Sequence, residues 1–370
     1  CMTGIAAVNH VRMERALSLA TGLTVAYAEC LGGRLEAWAP LFAEARPHAG
    51  QQWATTALNA WARDTQRLTP VPVQQPVLDE REAVDGWLPE GELPQDPYTV
   101  RCAPQLLGAV ADVLDFHART VDTELRSATD NPLLGDEDDL LLHGGNFYGQ
   151  HVSFASDTLL LGAAKVAIHA ERALARLTDR ALNNGLPSFL HRGPDGVNSG
   201  FMGAQVTASA LVAEIRTRAT PSSIQSIPTN ANNQDVVTMG TIGARKTASV
   251  IDLVYKVLAI QALAVAQAAE LRGGTTLDGF SPHTRTLVHW VRRRSAALNG
   301  DRPLSGDIER LAAALETESW ERWTANDRPA VSEPLRLAED RVPVVNRSRK
   351  AVPRAPRPQP TRKTPRQTPP

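Results

Sequence analysis

Long segments rich in alanine and leucine constrain the fold of this chain more than any other feature. They cover residues 152–182, 200–218 and 235–271. In the longest segment, apolar side chains occupy most of the helix circumference, which is typical of helices buried in a bundle. Alternating strand patterns are nearly absent from the sequence. We therefore predict an all-α fold, a bundle of long helices, and expect it to oligomerise because so much apolar surface needs partners.

Glycine and proline mark the ends of the predicted helices. A helix over residues 11–31 should end at Gly32, since glycine readily takes the left-handed conformation of a helix C-terminus. Another, over residues 97–127, should end before Pro132, because the residue preceding proline is pushed out of the α region. Residues 70–94 are rich in proline and predict an irregular surface segment.

The composition predicts two regions, a helical bundle over residues 1–317 and an extended or disordered tail over residues 318–370. Residues 341–370 contain nine Lys or Arg, eight prolines and no acidic residue. Such a stretch can form neither a helix nor a packed core. Its charge would suit an anionic surface or nucleic acid, but a solvated tail is the simpler interpretation and nucleic acid is not an expected partner.

Several classes of protein are disfavoured by the composition. The chain has 370 residues, of which 42% are hydrophobic and 21% charged, which is ample for a large core. No uncharged apolar run approaches 20 residues, so no membrane span is expected. Cys1, Cys30 and Cys102 are too scattered for a disulfide framework, which favours a cytoplasmic location. The nine histidines lack metal-ligand spacing, so no metal site is expected.

The segment QDPYTVR contains the first candidate site. Asp96 is expected to cap a helix whose first residue is Pro97. Tyr98 and Arg101 then lie three residues apart on one helix face, close to Gln95. A guanidinium and a helix N-terminus together can hold a carboxylate. The alternative is a capped helix with Arg101 in a structural ion pair.

Two further polar clusters follow. In HGGNFYGQH, the glycines around Asn146 and Phe147 predict either a tight turn or a close backbone approach to a ligand. In SIPTNANNQDVVTMG, Asn233 and Gln234 precede Asp235, which is expected to cap the longest helix. Polar side chains between apolar helices must find partners in a ligand or in one another. Helix ends that bring such clusters to one cavity would form an active site.

Five segments resemble the aromatic amino acid lyase family, which comprises histidine, phenylalanine and tyrosine ammonia-lyases and related 2,3-aminomutases. They are QDPYTVRCAPQ, SATDNPLL, GGNFYGQ, VNSGFMGAQVTASALVAE and SIPTNANNQDVVTMGTIGARK. The resemblance covers residues 2–314 in the family's order. It implies an elimination of ammonia from an aromatic amino acid, driven by the electrophile methylidene-imidazolone (MIO), and a homotetramer with composite active sites.

The resemblance also implies roles for individual residues. Arg101 would hold the substrate carboxylate, while Tyr98 and Gln95 would line the cavity as catalytic residues. Phe147 would pack beside the cofactor. The remaining substrate-binding candidates are Asn146, Asn233 and Gln234.

The sequence departs from the family pattern in one essential respect. It contains no Ala-Ser-Gly, from which the family forms MIO, so the electrophile and the catalytic tyrosine are expected upstream of Cys1. The chain alone should therefore be inactive. Gln234 replaces the glutamate of histidine-specific members, which favours L-phenylalanine or L-tyrosine over L-histidine. A 2,3-aminomutase is the alternative activity, and a non-catalytic helical oligomerisation fragment is the alternative of another class.

Overall fold

The computed structural model describes residues 1–71, 95–135, 140–194 and 196–318. Its α-helices are α1 (Met2–Leu31), α2 (Pro40–Ala45), α3 (Ala49–Trp61), α4 (Tyr98–Arg101), α5 (Ala103–Leu125), α6 (Gln150–Thr178), α7 (Met202–Arg218), α8 (Gly240–Gly273), α9 (Pro282–Arg292) and α10 (Ser305–Thr317). Two short antiparallel strands, β1 (Leu133–Leu134) and β2 (Leu141–Leu142), form a small hairpin. The predicted all-α fold is confirmed. The predicted irregular segment, apart from its first two residues, and the predicted tail after residue 318 lie outside the described residues.

Helices α1 and α5 run antiparallel. Near the end of α1, the Tyr27 hydroxyl lies 2.9 Å from the hydroxyl of Thr99, which precedes α5. Nearer the start of α1, the rings of His10 and His117 stack with centroids 5.5 Å apart. Residue numbers therefore rise along one helix as they fall along the other.

Helices α1, α6 and α8 run parallel to one another. The Asn9 side chain donates a 2.8 Å hydrogen bond to the Ala244 carbonyl near the start of α1 and α8. The Arg272 guanidinium donates a 3.0 Å hydrogen bond to the Cys30 carbonyl at their far ends. Thr247 of α8 donates a 3.0 Å hydrogen bond to the Ser156 carbonyl of α6. All three helices thus begin at the same end of the bundle.

Helix α8 is the central element of the core. Its most apolar 18-residue stretch has a mean hydropathy of 1.7, so its length and composition alone would allow it to cross a membrane. Uncharged runs alone do not reveal this property, because the charged residues Asp252 and Lys256 interrupt the apolar sequence of the helix. Of that stretch, 72% is buried among the surrounding helices, as is typical of a core helix.

The helix ends agree only partly with the predictions. Gly32 ends α1 in the left-handed conformation, with φ of 69°, as predicted, although α1 begins nine residues earlier than expected, at Met2. The predicted capping role of Asp235 is wrong, because α8 begins at Gly240 after Met239. A side-chain hydrogen bond from the Val237 amide to Ser226 Oγ, 3.0 Å long, keeps this stretch in the preceding loop.

Helices α3 and α5 approach closely enough for their backbones to touch. A Cβ on Gly50 would lie 2.0 Å from the Gly108 carbonyl oxygen. A Cβ on Gly108 would lie 2.6 Å from the backbone nitrogen and Cα of Gln51. The absence of a side chain at both glycines therefore permits this helix contact.

The stacked pair His10 and His117 is buried between α1 and α5. His117 is fully buried, and neither of its ring nitrogens has a hydrogen-bond partner among the described residues. Burial, with a smaller contribution from the charge of His10, lowers the pKa of His117 to about 3. Burial also lowers the pKa of His10. Both rings are therefore neutral at pH 7.

We expect acid to destabilise the fold through this pair. An unfolded histidine has a pKa of about 6.5. His117 therefore contributes stability above that pH, which is lost as pH falls toward 3, by up to about 1.4 kcal/mol per pH unit. His117→Leu should weaken this dependence, measured as the free energy of urea unfolding at pH 7.5 and pH 5. His289→Leu, which alters an exposed histidine of α9, is the control. An unchanged acid dependence in His117→Leu would contradict the assignment.

Candidate active site

Three of the predicted site residues, Gln95, Tyr98 and Arg101, come together at the single helical turn α4. The Arg101 guanidinium donates a short hydrogen bond to Gln95 Oε1. Its central carbon lies 4.6 Å from the centroid of the Tyr98 ring, in a cation–π contact. Among the described residues, the partners of the Arg101 guanidinium are Gln95 and Tyr98 and include no carboxylate, so the structural ion pair considered above is not observed there.

Asp96 has a different role from the predicted one. The N-cap of α4 is Pro97, which is extended with φ of −62° and ψ of 158°. Asp96 instead accepts a 2.7 Å hydrogen bond from the backbone N–H of Arg34, in the segment after α1. The sequence predicted that the Asp96 carboxylate would cap the helix. In the structure this carboxylate is instead bound by a backbone N–H from a distant part of the chain. The bond attaches the start of α4 to the end of α1.

A cavity of about 340 Å³ opens beside this turn. Its lining comprises Arg34, Glu36, Ala37, Phe42, Gln95, Asp96, Arg101, Cys102 and Gln105. The volume is in the range of small-molecule sites. The sequence predicted only part of this lining. Gln105 lies four residues after Arg101, a spacing that would have indicated it, whereas no local signal connects Phe42 to this site.

Asn146 stabilises its own loop. Its side-chain amide donates a 2.5 Å hydrogen bond to the Ala128 carbonyl. Asn131, whose bond to Pro132 is cis, accepts a 2.7 Å hydrogen bond from the Gly144 amide. Of the two expectations for this segment, the tight turn is observed. The neighbouring Phe147 side chain is 54% exposed, which leaves it available to contact another group.

Asn233 and Gln234 lie in an exposed loop that is partly self-satisfied. Gln234 Oε1 accepts a 2.7 Å hydrogen bond from the Thr229 hydroxyl. The backbones of Thr229 and Gln234 also pair, because the Thr229 amide donates a 3.0 Å hydrogen bond to the Gln234 carbonyl. Residues 230–232 all have positive φ, between 51° and 65°. This tight turn holds Gln234 at the surface.

The Asn146 loop and the Gln234 loop lie side by side at the start of the bundle. Ser153 Oγ at the start of α6 donates a 2.6 Å hydrogen bond to the Thr238 carbonyl just before α8. The Met2 side chain is wedged between Gly149 and Gly240, whose Cβ positions would lie 2.1 and 2.2 Å from Met2 atoms. The N-termini of α1, α6 and α8 therefore converge here, and their dipoles create a positive field.

The two halves of the predicted site lie at opposite ends of α1. A Cβ on Gly33, just after α1, would lie 3.4 Å from Asp96 Oδ2 and 3.5 Å from Val100 Cγ1, beside the Arg101 turn. Met2, at the other end of α1, lies beside Gly240, the first residue of α8, which follows the loop that contains Gln234. A helix of 30 residues is about 45 Å long. The expectation that all these polar clusters meet in one cavity is therefore wrong for a single chain, because the sequence does not reveal which helix ends share a side of the bundle.

The described part of the chain offers no alternative source for an electrophile or a metal site. Each Ala-Ser pair in the sequence is followed by a residue other than glycine. The three serines, Ser156, Ser209 and Ser249, lie inside α6, α7 and α8, where helical geometry prevents the backbone from cyclising. Among the described residues, no three His, Cys, Asp or Glu side chains form a metal-binding group.

The fold and the candidate site together define an all-α bundle whose helix ends carry a guanidinium, a phenol and amides. The family model described as aromatic amino acid lyase matches residues 1–293. The chain therefore belongs to the aromatic amino acid lyase family, a family of carbon–nitrogen lyases, which confirms the resemblance found in the sequence.

Individual relatives span several activities. The chain is 49% identical over 320 residues to a tyrosine ammonia-lyase of Cereibacter sphaeroides, which covers 86% of this chain and 60% of that protein. It is 42% identical over 285 residues to a histidine ammonia-lyase of Symbiobacterium thermophilum, covering 77% and 52%. The crystal structure of a tyrosine aminomutase from Streptomyces globisporus matches with a TM-score of 0.80 at 35% identity, covering 89% and 62%. The chain thus spans between 52% and 62% of the length of these relatives.

Proposed function

We propose that these residues form the carboxylate-binding half of an aromatic amino acid ammonia-lyase. The complete enzyme would convert L-tyrosine or L-phenylalanine, with L-histidine as the third candidate, into an arylacrylate and ammonia. The observation that carries this proposal is Arg101, which lines a cavity of amino-acid size and whose partners among the described residues include no carboxylate. The family membership supports the reaction class.

The α4 turn supplies the groups that would bind the substrate. The Arg101 guanidinium can bind a carboxylate through two parallel hydrogen bonds. Gln95 accepts a hydrogen bond from the guanidinium, and the Tyr98 ring packs against the face of the guanidinium. The guanidinium is therefore oriented before substrate arrives. A preoriented cation contributes more to binding than a mobile one, because less side-chain entropy is lost.

The other end of the bundle suits the expected cofactor. MIO, when present, supplies the electrophile that turns the substrate amine into a better leaving group. The converging N-termini of α1, α6 and α8 provide a positive field that favours such an electron-accepting group. Phe147, more than half exposed, would pack beside it, and Asn146, Asn233 and Gln234 would line the surrounding surface.

A complete site requires more than one chain in this proposal. The two halves are separated by the length of α1, so Arg101 of one chain would face the Gln234 end of another, as in a homotetramer with composite sites. Exposed apolar side chains on α6 and α7 supply surface for such contacts. They include Phe154, Leu161, Met202 and Val206, which are between 43% and 59% exposed. The three cysteines are free, which supports placing the protein in the reducing cytoplasm.

The substrate assay tests the proposal. The complete protein should be incubated separately with L-tyrosine, L-phenylalanine and L-histidine while the arylacrylate absorbance is followed. We expect turnover of tyrosine or phenylalanine, since the neutral amide of Gln234 suits a phenol or phenyl ring better than an imidazole. No product from any of the three would refute the proposal. The chain Cys1–Pro370 alone is expected to show no turnover.

A 2,3-aminomutase is the second candidate, favoured by the structural match to tyrosine aminomutase. The same assay distinguishes it, because a β-amino acid would then be the main product. A non-catalytic oligomerisation fragment is the candidate of another class. An Ala-Ser-Gly encoded in frame upstream of Cys1 would exclude it.

A further inference from the structure

The junction between α4 and α5 leaves two consecutive carbonyls without ordinary helical partners. The two helices are interrupted at Cys102, and Pro104 occupies the first turn of α5. Proline has no N–H, so it cannot donate to the Val100 carbonyl four residues earlier. The Thr99 carbonyl precedes the same interruption. Both carbonyls belong to the turn that carries Arg101.

Two buried aromatic side chains, from two different elements of the fold, satisfy these carbonyls. The indole N–H of Trp38, in the 3₁₀ turn Leu35–Trp38, donates a 2.9 Å hydrogen bond to the Val100 carbonyl. His169 Nε2, in the middle of α6, lies 2.9 Å from the Thr99 carbonyl. Trp38 is 0% exposed and His169 is 3% exposed.

The protonation state of His169 follows from its surroundings. A carbonyl oxygen only accepts hydrogen bonds, so Nε2 must carry the hydrogen. Burial lowers the pKa of His169, while its bond to Thr99 opposes this shift and the nearby positive charge of Lys165 reinforces it. The ring is therefore a neutral donor. A buried carbonyl that loses such a donor must reorient or remain unpaired at a cost.

We propose that Trp38 and His169 are positioning residues for Arg101. Their hydrogen bonds fix the two peptide groups immediately before Arg101, and so they set the direction in which its guanidinium enters the cavity. This inference rests on the proposed function only for the identity of the carboxylate that is bound. The orientation of Arg101 itself can be tested without catalysis.

Alkylation of Cys102 provides the test on the intact chain. Cys102 lines the same cavity as Arg101, whereas Cys1 is exposed and serves as an internal reference. Iodoacetate carries a carboxylate and iodoacetamide does not. We define the alkylation ratio as the rate with iodoacetate divided by the rate with iodoacetamide at Cys102, relative to the same quotient at Cys1. Peptide mass spectrometry measures it, and a guanidinium that faces the cavity raises it by attracting the carboxylate. We expect Arg101→Ala to lower this ratio about fivefold, on the scale of one screened charge pair.

The positioning variants are compared by the same ratio. His169→Phe retains an aromatic ring without the donor. This variant and Trp38→Phe should each lower the alkylation ratio. His169→Gln retains an amide donor and should restore the ratio in part. In an Arg101→Ala background, His169→Phe should change nothing further. A wild-type ratio in both Phe variants, or an equal additional loss in the Arg101→Ala background, would overturn the inference. An alkylation ratio that Arg101→Ala leaves unchanged would also overturn the inference.

Kinetics on the complete enzyme provide a second readout. His169→Phe should lower kcat/KM by about 10- to 100-fold, because small misplacements of a binding group are costly. Its effect should disappear in the Arg101→Ala background, which loss of folded protein would not produce. Absence of turnover in the wild-type enzyme would refute the proposed function, yet the alkylation ratios would still decide the positioning role.

Discussion

Arg101→Ala should lower kcat/KM of the complete enzyme by about two orders of magnitude. The guanidinium is the candidate partner of the substrate carboxylate, and its partners among the described residues, Gln95 and Tyr98, leave no competing carboxylate. Removing one partner of a desolvated charge pair costs about 2–4 kcal/mol of transition-state stabilisation. Steady-state kinetics with the preferred substrate, as established by the substrate assay, would measure this loss.

Arg101→Lys provides the matched comparison. Lysine retains the positive charge but cannot form two parallel hydrogen bonds to a carboxylate. It should therefore recover only a small part of the lost kcat/KM. Near wild-type efficiency in Arg101→Ala would contradict the assignment, and full activity in Arg101→Lys would show that charge alone suffices.

Gly108→Ala should destabilise the fold by about 2 kcal/mol, measured as the free energy of urea unfolding. The new Cβ would lie 2.6 Å from backbone atoms of Gln51, which cannot move aside as a side chain can. Separating α3 from α5 would open the core on both sides of the contact. Overpacking of this kind typically costs about 1–3 kcal/mol and sometimes more, and the gain in helix propensity offsets about 1 kcal/mol.

Gly203→Ala separates this packing effect from helix propensity. Gly203 lies in α7, and a Cβ there would meet no atom within 4 Å. The substitution should be neutral or stabilising by up to about 1 kcal/mol. If Gly108→Ala unfolds at the same urea concentration as Gly203→Ala, the close contact between α3 and α5 is not as described.

The long helices were predictable because their apolar residues repeat over many turns. The interruption at Cys102 was not, since Pro104 is equally compatible with the first turn of a helix and with the interior of a kinked one. The expected cap at Asp235 failed for a related reason. Asp235 has the chemistry of a cap, but the tight turn at residues 230–232 and the bond to Ser226 keep it out of the helix.

The candidate site was predictable only where it is local. Gln95, Tyr98 and Arg101 lie within one stretch of seven residues, so their short separation in sequence keeps them close. The α4 turn places Tyr98 and Arg101 on one face. The relation between Arg101 and Gln234 depends on the direction of each helix in the bundle. Periodicity carries no information about that direction. Phe42 lines the cavity only because the chain folds back after α1.

The length of α1 has a consequence for how activity depends on concentration. The two half-sites of one chain lie at opposite ends of a helix about 45 Å long, so a single chain cannot bring them together in one pocket. If the reaction requires both half-sites, only the assembled protein turns over substrate. The protein concentration at which activity falls to half on dilution then reports the dissociation constant between subunits. Each isolated subunit would then be catalytically inactive.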